Sequence, residues 1–310
     1  MAAERVLISG GAGFLGGTLA RALLADGHDV HLLVRPGTDR RRLDGRCAAY
    51  EADLCDGAAV GRAVAACRPE VVYHLGTYGW QAGPKDAGAI QSINVTGTAN
   101  LLAALAGHPY RALVHAGTGL EYGPHDGPIR EDAPLRPPTE YAAAKAAAGR
   151  LCLAERDRGR PAVVVRVFSA YGPGEAPGRL VPYLMRCCLR GEVPAVSAGA
   201  QRRDFIHADD VVALFRAAAA RPRESGPVLH AGTGREHSVR EVVAAVLAAC
   251  GRPDAPVRFG AAALRPGEPE HYLADVAGTC ARTGWAPRLD LRADLARTWD
   301  WFRAAGADAA

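Results

Sequence analysis

Lysine is almost missing from this chain. Of 37 Lys and Arg residues in 310, only Lys85 and Lys145 are lysine. Arginine therefore serves wherever a plain positive charge suffices, and a surviving lysine calls for a specific reason. Long apolar runs are missing too: no stretch of 18 apolar residues exists, so no membrane span is expected. The N-terminus enters a strand directly, with no charged segment and apolar core of a signal peptide. None of the eight cysteines forms a C-x-x-C, and no His pair lies nearby at zinc spacing. Reduced core thiols in a cytoplasmic protein, with no metal, are the expectation. A basic stripe is also lacking. The net charge is +4 and no single-sign block exceeds Arg40-Arg41-Arg42, which excludes a dedicated nucleic-acid binder.

Apolar residues at 49% and charged residues at 23% suit an ordinary globular chain of one large or two modest domains. The 36 glycines and 21 prolines exceed usual numbers without any period, which points to many tight turns. Up to about residue 170, strand-like and helix-like runs alternate. Apolar strands are expected at residues 5–9, 30–34, 47–50, 71–75, 112–116 and 162–167. Helices are expected at residues 14–25, 57–67, 87–106 and 139–158. Near-continuous apolar strands separated by helices indicate a parallel sheet covered on both faces, a doubly wound α/β fold. After residue 170 the alternation breaks among Pro and Gly clusters. The expected division is a dinucleotide-binding domain over residues 1–168, to which part of 205–235 returns, and a smaller substrate-binding lobe mainly over 169–310.

The first strand runs into Ser9-Gly10-Gly11-Ala12-Gly13-Phe14-Leu15-Gly16. Such a turn lets the backbone approach a pyrophosphate, Gly16 lets helix and strand pack closely, and the helix N-terminus offers free N–H groups to the phosphates. Gly10, Gly13, Phe14, Leu15 and Gly16 are the candidate cofactor cradle. The second strand ends in Arg35, where an NAD-preferring protein places Asp or Glu. A guanidinium can grip a 2′-phosphate in a fork, so NADP (as NADPH) is expected over NAD, the alternative. Asp53 and Leu54 are placed to meet the adenine.

Tyr141 and Lys145 lie four apart on an Ala-rich helix and share a face. A free tyrosine titrates near 10, and a neighbouring ammonium is expected to lower that. Thr118, at the end of the fifth strand, offers an uncharged hydroxyl to a substrate oxygen. His74 and His115, inside apolar strands, are expected to be satisfied core histidines.

With these motifs the chain resembles an extended short-chain dehydrogenase/reductase of the NAD-dependent epimerase/dehydratase type. Further segments carry the resemblance: Tyr73-His74-Leu75-Gly76, Asn94-Val95-Thr96-Gly97-Thr98, Glu121-Tyr122-Gly123, 166–173, 203–211 and Arg265-Pro266-Gly267-Glu268. The resemblance implies that Thr118, Tyr141 and Lys145 are catalytic, and that Tyr141, Lys145 and Leu75 also belong to the cofactor site. It implies that Arg203 and Arg265 face the diphosphate of a nucleotide sugar, with Thr118 and Ser169 near the substrate, and that a homodimer forms through two long helices. Two departures matter. Ser169 replaces the family's usual Asn. Where 4,6-dehydratases carry Asp and Glu after the catalytic Thr, this chain has Gly119 and Leu120. Glu121 stands one residue late and, in an extended segment, should point elsewhere.

Dehydration is thereby disfavoured. The resulting expectation is NADPH-dependent reduction of the 4-keto group of a nucleotide-linked 4-keto-6-deoxy sugar, as in deoxysugar biosynthesis. The alternatives are a C4 epimerase with bound NAD, an NADPH reductase of a non-sugar ketone, and a non-catalytic dinucleotide sensor.

Overall fold

A computed structural model of the chain describes residues 3–39, 45–80, 85–263, 269–288 and 290–306. The first half alternates as the apolar pattern requires: β1 (Arg5–Ser9), α1 (Phe14–Ala25), β2 (Asp29–Val34), β3 (Ala48–Glu51), α2 (Gly57–Cys67), β4 (Val71–His74), α3 (Ala87–Gln91), α4 (Gly97–Leu105), β5 (Ala112–Thr118), α5 (Glu140–Asp157) and β6 (Ala162–Val167). The second half holds β7 (Ser169–Tyr171), α6 (Leu180–Arg190), β8 (Ala195–Val196), β9 (Arg202–Arg203), β10 (Phe205–His207), α7 (Ala208–Ala220), β11 (Val228–Ala231), β12 (His237–Ser238), α8 (Val239–Ala249), β13 (Arg258–Phe259), α9 (Ala277–Thr283) and α10 (Leu291–Ala305).

Seven strands form one parallel sheet in the order β11-β6-β5-β4-β1-β2-β3. Its strands are apolar on both faces because helices cover both. Val6, Ile8, Val30 and Leu32 pack with Leu19 and Leu23 of α1 and Val211 and Phe215 of α7. Leu7, Val72 and Leu113 pack on the other side with Val60 and Val64 of α2, Leu101 of α4 and Cys152 of α5. A separate core joins α6, α8 and α10 through Leu184, Val242, Val246, Leu295 and Phe302. A small fourth cluster of Tyr122, Ile129, Phe168, Tyr272 and Ala274 lies near the C-terminal end of β5. The crevice at the carboxyl ends of the central strands is where an open α/β sheet receives ligands.

Two elements differ from the sequence expectation. The single helix expected over residues 87–106 is split by a π-helical turn at Ser92–Thr96. Its cause is local: the Asn94 side-chain amide donates to Ile90 O at 2.9 Å and to Tyr78 O at 2.8 Å. The first of these competes with the helical ladder. The segment after Thr118 is a 3-10 turn, Gly119–Tyr122, and not an extended strand.

Candidate active site

At the end of β1 the chain turns through Gly10, whose φ is 73°. A Cβ there would lie 2.7 Å from the Gly76 nitrogen, so only glycine fits. At Gly16 a Cβ would strike the Gly10 carbonyl oxygen. Gly13 precedes α1, and no side chain caps the helix. Its first-turn N–H groups at Phe14, Leu15 and Gly16 are thus presented to the crevice with the positive end of the helix dipole. This cradle fits a dinucleotide diphosphate.

The floor of the cradle is fixed by a hydrogen-bond chain whose polarity can be worked out. Thr98 Oγ1 donates to Asn94 O at 2.5 Å, so it accepts from His74 Nε2 at 2.9 Å. His74 Nδ1 must then accept from Ser9 Oγ at 2.6 Å, and Ser9 Oγ in turn accepts from the Gly76 N–H at 3.1 Å. Burial pushes His74 down to about 3, in keeping with this neutral role. His74 is thus a satisfied core histidine.

Around the cradle, Arg35 follows β2 with an exposed side chain, and its carbonyl accepts from Thr38 N and Oγ1 at 3.1 and 2.6 Å. Arg40, Arg41 and Arg42 lie outside the described residues. Asp53 turns one carboxylate oxygen onto the Cys55 N–H at 2.8 Å. Leu54 packs so closely that a Cβ on Gly76 or Gly97 would come within 2.8 or 2.7 Å of it. Leu75 is buried at the end of β4.

Thr118 ends β5 and caps the 3-10 turn. Its Oγ1 accepts from Leu120 N at 3.3 Å, while its own N–H donates to Glu121 Oε1 at 2.8 Å. The other Glu121 oxygen pairs with Arg166 Nε at 2.7 Å, and Arg166 Nη1 donates to Tyr122 Oη at 2.6 Å. Glu121 is fully buried. Its carboxylate is committed to the Thr118 N–H and to Arg166, and the 3-10 turn, not strand alternation, sets its position.

Tyr141 and Lys145 stand one turn apart on α5, which Thr139 caps by accepting from Ala142 N at 3.2 Å. Thr77 Oγ1 donates to Asn94 Oδ1 at 2.8 Å, and the nearby Thr77 hydroxyl offsets part of the effect of burial on the Tyr141 phenol. Burial pushes Tyr141 up to about 12 and Lys145 down to about 8. The expected lowering of Tyr141 by Lys145 is not found: burial prevails at the phenol, and the Lys145 ammonium donates to His115 Nε2 at 3.3 Å. His115 is not a fully satisfied core residue either, because its Nδ1 has no partner.

From the second half, the Ser169 N–H donates to Asp204 O at 3.0 Å. Arg203 is buried, and its Nη1 donates to the Arg202 and Glu270 carbonyls at 2.6 and 3.2 Å. Arg265 lies outside the described residues. Sequence reasoning missed Thr77, His115 as the partner of Lys145, and Tyr272. Tyr272 is buried, and its phenol lies so close to Gly119 that a Cβ there would come within 2.5 Å of it. No helix among the described residues is long and apolar enough to cross a membrane.

Comparison with known proteins places this geometry. The sequence model described as the NAD dependent epimerase/dehydratase family matches residues 6–232. The chain is 31% identical to a dTDP-glucose 4,6-dehydratase of Streptomyces griseus, over 96% of this chain and 93% of that protein. It is likewise 31% identical to a UDP-glucose 4-epimerase of Mycolicibacterium smegmatis, over 96% and 98%. Among solved structures, the Thermus thermophilus UDP-glucose 4-epimerase complex with NAD superposes with a TM-score of 0.87 at 32% identity, over 97% of this chain and 100% of that one. MoeE5 in complex with UDP-glucose and NAD gives 0.85 at 32% identity, over 97% and 99%.

Proposed function

The chain belongs to the NAD-dependent epimerase/dehydratase family of extended short-chain dehydrogenase/reductase enzymes, and we propose that within it the protein is an NADPH-dependent ketoreductase acting on a nucleotide-linked 4-keto-6-deoxy sugar. The observation that carries this reading is the chemistry missing just after Thr118. Eliminating water from a hexose needs an acid and a base beside the catalytic hydroxyl. Gly119 and Leu120 supply neither, and Glu121 is committed to Arg166 and the Thr118 N–H.

Reduction needs less. A bound NADPH supplies the hydride. Tyr141 protonates the developing alkoxide, and Thr118 hydrogen-bonds the same oxygen. Lys145 keeps a positive charge one helical turn from Tyr141 and holds ribose hydroxyls, and the α1 N-terminus holds the diphosphate. Raised to about 12, Tyr141 is almost wholly protonated at neutral pH. The protonated phenol is the form that a reduction needs. Arg35, in place of an acidic residue, supports a 2′-phosphate, and Arg203 with Arg265 supports a substrate diphosphate.

A second reading is a C4 epimerase with tightly held NAD. It is favoured by the NAD in the neighbouring complexes and by the epimerase among the relatives. One experiment separates the two. Purified protein is offered NADPH and a panel of nucleotide-linked 4-keto-6-deoxy sugars, and separately UDP-glucose alone. Oxidation of NADPH with formation of a 4-hydroxy sugar, abolished in Tyr141→Phe while NADPH still binds, is expected. Conversion of UDP-glucose to its 4-epimer by protein carrying bound NAD, with no NADPH consumed, overturns the proposal.

A further inference from the structure

His115 stands in the middle of a central strand, between His74 of β4 and Val164 of β6, and is fully buried. An apolar side chain there would leave no polar atom to satisfy, as Leu113 and Val114 just before it show. The imidazole instead makes one hydrogen bond, to Lys145 Nζ at 3.3 Å, and its Nδ1 is buried without a partner. His74, with its ring centroid 5.1 Å away, cannot supply one, because both of its nitrogens are engaged by Ser9 and Thr98. A polar ring left half-satisfied in a dry core calls for a reason. Its partner supplies one. Lys145 is only 2% exposed, and among the described residues no other hydrogen bond or ion pair holds its Nζ.

The direction of this bond follows from the donors available. An ammonium has three protons and no lone pair, so His115 Nε2 accepts and the ring carries its own proton on Nδ1. Burial and the Lys145 charge hold His115 neutral, well below its ordinary range. A neutral acceptor differs from a carboxylate in one respect that matters here: it holds the ammonium without cancelling its charge. Glu121, the carboxylate that acts on Lys145, is itself engaged by Arg166 and the Thr118 N–H. We propose that His115 is a positioning residue: as the Nδ1–H tautomer it anchors one N–H of Lys145, which leaves the other two for the nicotinamide ribose and keeps a positive charge one helical turn from Tyr141. This rests on the reading of Lys145 as the group that holds ribose hydroxyls.

Two measurements test it. NMR of wild-type protein isotope-labelled at histidine, with His115 assigned from the signals lost in His115→Gln, is expected to show a neutral ring with its proton on Nδ1 at pH 7. A proton on Nε2, or a charged ring, overturns the inference. The second measurement is kcat against pH, with NADPH and a nucleotide-linked 4-keto-6-deoxy sugar. In the wild type kcat falls above about pH 8 as Lys145 discharges. The other groups around Lys145 do not titrate there. Burial keeps the Tyr141 phenol and the Cys152 thiol protonated up to about 12 and His74 neutral, and Glu121 is paired with Arg166. His115→Leu is expected to lower kcat by roughly tenfold and to move the falling limb roughly half a pH unit or more downward, because the charged amine loses its acceptor. His115→Gln, whose amide oxygen can accept in place of Nε2, is expected to restore most of both. A merely structural role would not move the limb. A His115→Leu enzyme with wild-type kcat and limb overturns the inference, and so does a His115→Gln enzyme no better than His115→Leu. Lys145→Met separates the two readings. If it is inactive while His115→Leu is unaffected, only the role of His115 falls. If it is as active as the wild type, the reading of Lys145 falls and takes this inference with it. A wild type that reduces no member of the panel but epimerises UDP-glucose overturns the ketoreductase reading alone, and the same variants then test His115 in that assay.

Discussion

Glu121 and Arg166 form a buried ion pair, Oε2 to Nε at 2.7 Å, and the second Glu121 oxygen holds the backbone N–H of Thr118. The pair thus ties the C-terminal end of β5 to its neighbour β6. A buried pair gives little net stability over an apolar replacement, yet losing one partner strands the other charge. Glu121→Gln is therefore expected to destabilise the fold by about 3–5 kcal/mol, measured by urea unfolding. Replacing both residues with apolar ones of similar volume should cost less than Glu121→Gln alone. Equal costs would show that Arg166 is not stranded by the single change.

Lys145 makes opposite demands on stability and chemistry. Burial lowers it from its ordinary 10.5 to about 8. Between those values the unfolded chain holds more protons than the folded one, so stability rises with pH across that window. The burden is fully present below about pH 8 and is gone above the unfolded value. Lys145→Met should therefore raise the melting temperature at pH 7 and flatten its rise between pH 8 and 10, while losing turnover. In the wild type, kcat should fall as pH climbs past about 8, because the ammonium beside Tyr141 is discharged. A melting temperature in Lys145→Met that still rises across that window would assign the effect to another group.

Arg35 is the residue on which cofactor choice is expected to turn. Arg35→Ser removes a guanidinium from the end of β2 without touching the sheet. It should reduce kcat/KM for NADPH by roughly ten- to hundredfold, as expected for a lost charge-assisted contact of about 1.5–3 kcal/mol. The value for NADH should stay nearly unchanged. Equal losses with both cofactors would place Arg35 against the adenine instead of the 2′-phosphate.

The sheet was legible because its strands are buried on both faces and write themselves as apolar runs, as Val71 to His74 and Ala162 to Val167 do. Thr118 was legible as the end of β5, but the 3-10 turn that follows it was not. Pairing of Gly117 with Arg166 and Thr118 with Val167 carries the strand past its apolar residues. The π-helical turn at Asn94 left no mark on a pattern that stays helical on either side, since it depends on one side-chain amide reaching Ile90 O. The Tyr141–Lys145 pair was legible from spacing and from the rarity of lysine, but the environment of each group was not. Burial, which no motif encodes, moved Tyr141 up where charge alone would have moved it down. Tyr272 carried no signal at all, because its place against Gly119 joins residues far apart in the chain.

The edge partner of β6 is β11, which the chain reaches only at Val228. Until the ribosome has delivered that strand, Ala162–Val167 presents unpaired backbone flanked by side chains that are all buried in the finished protein. A nascent chain or truncation ending between β6 and β11 would expose this adhesive margin, and it should be recovered from cells mainly as insoluble aggregate.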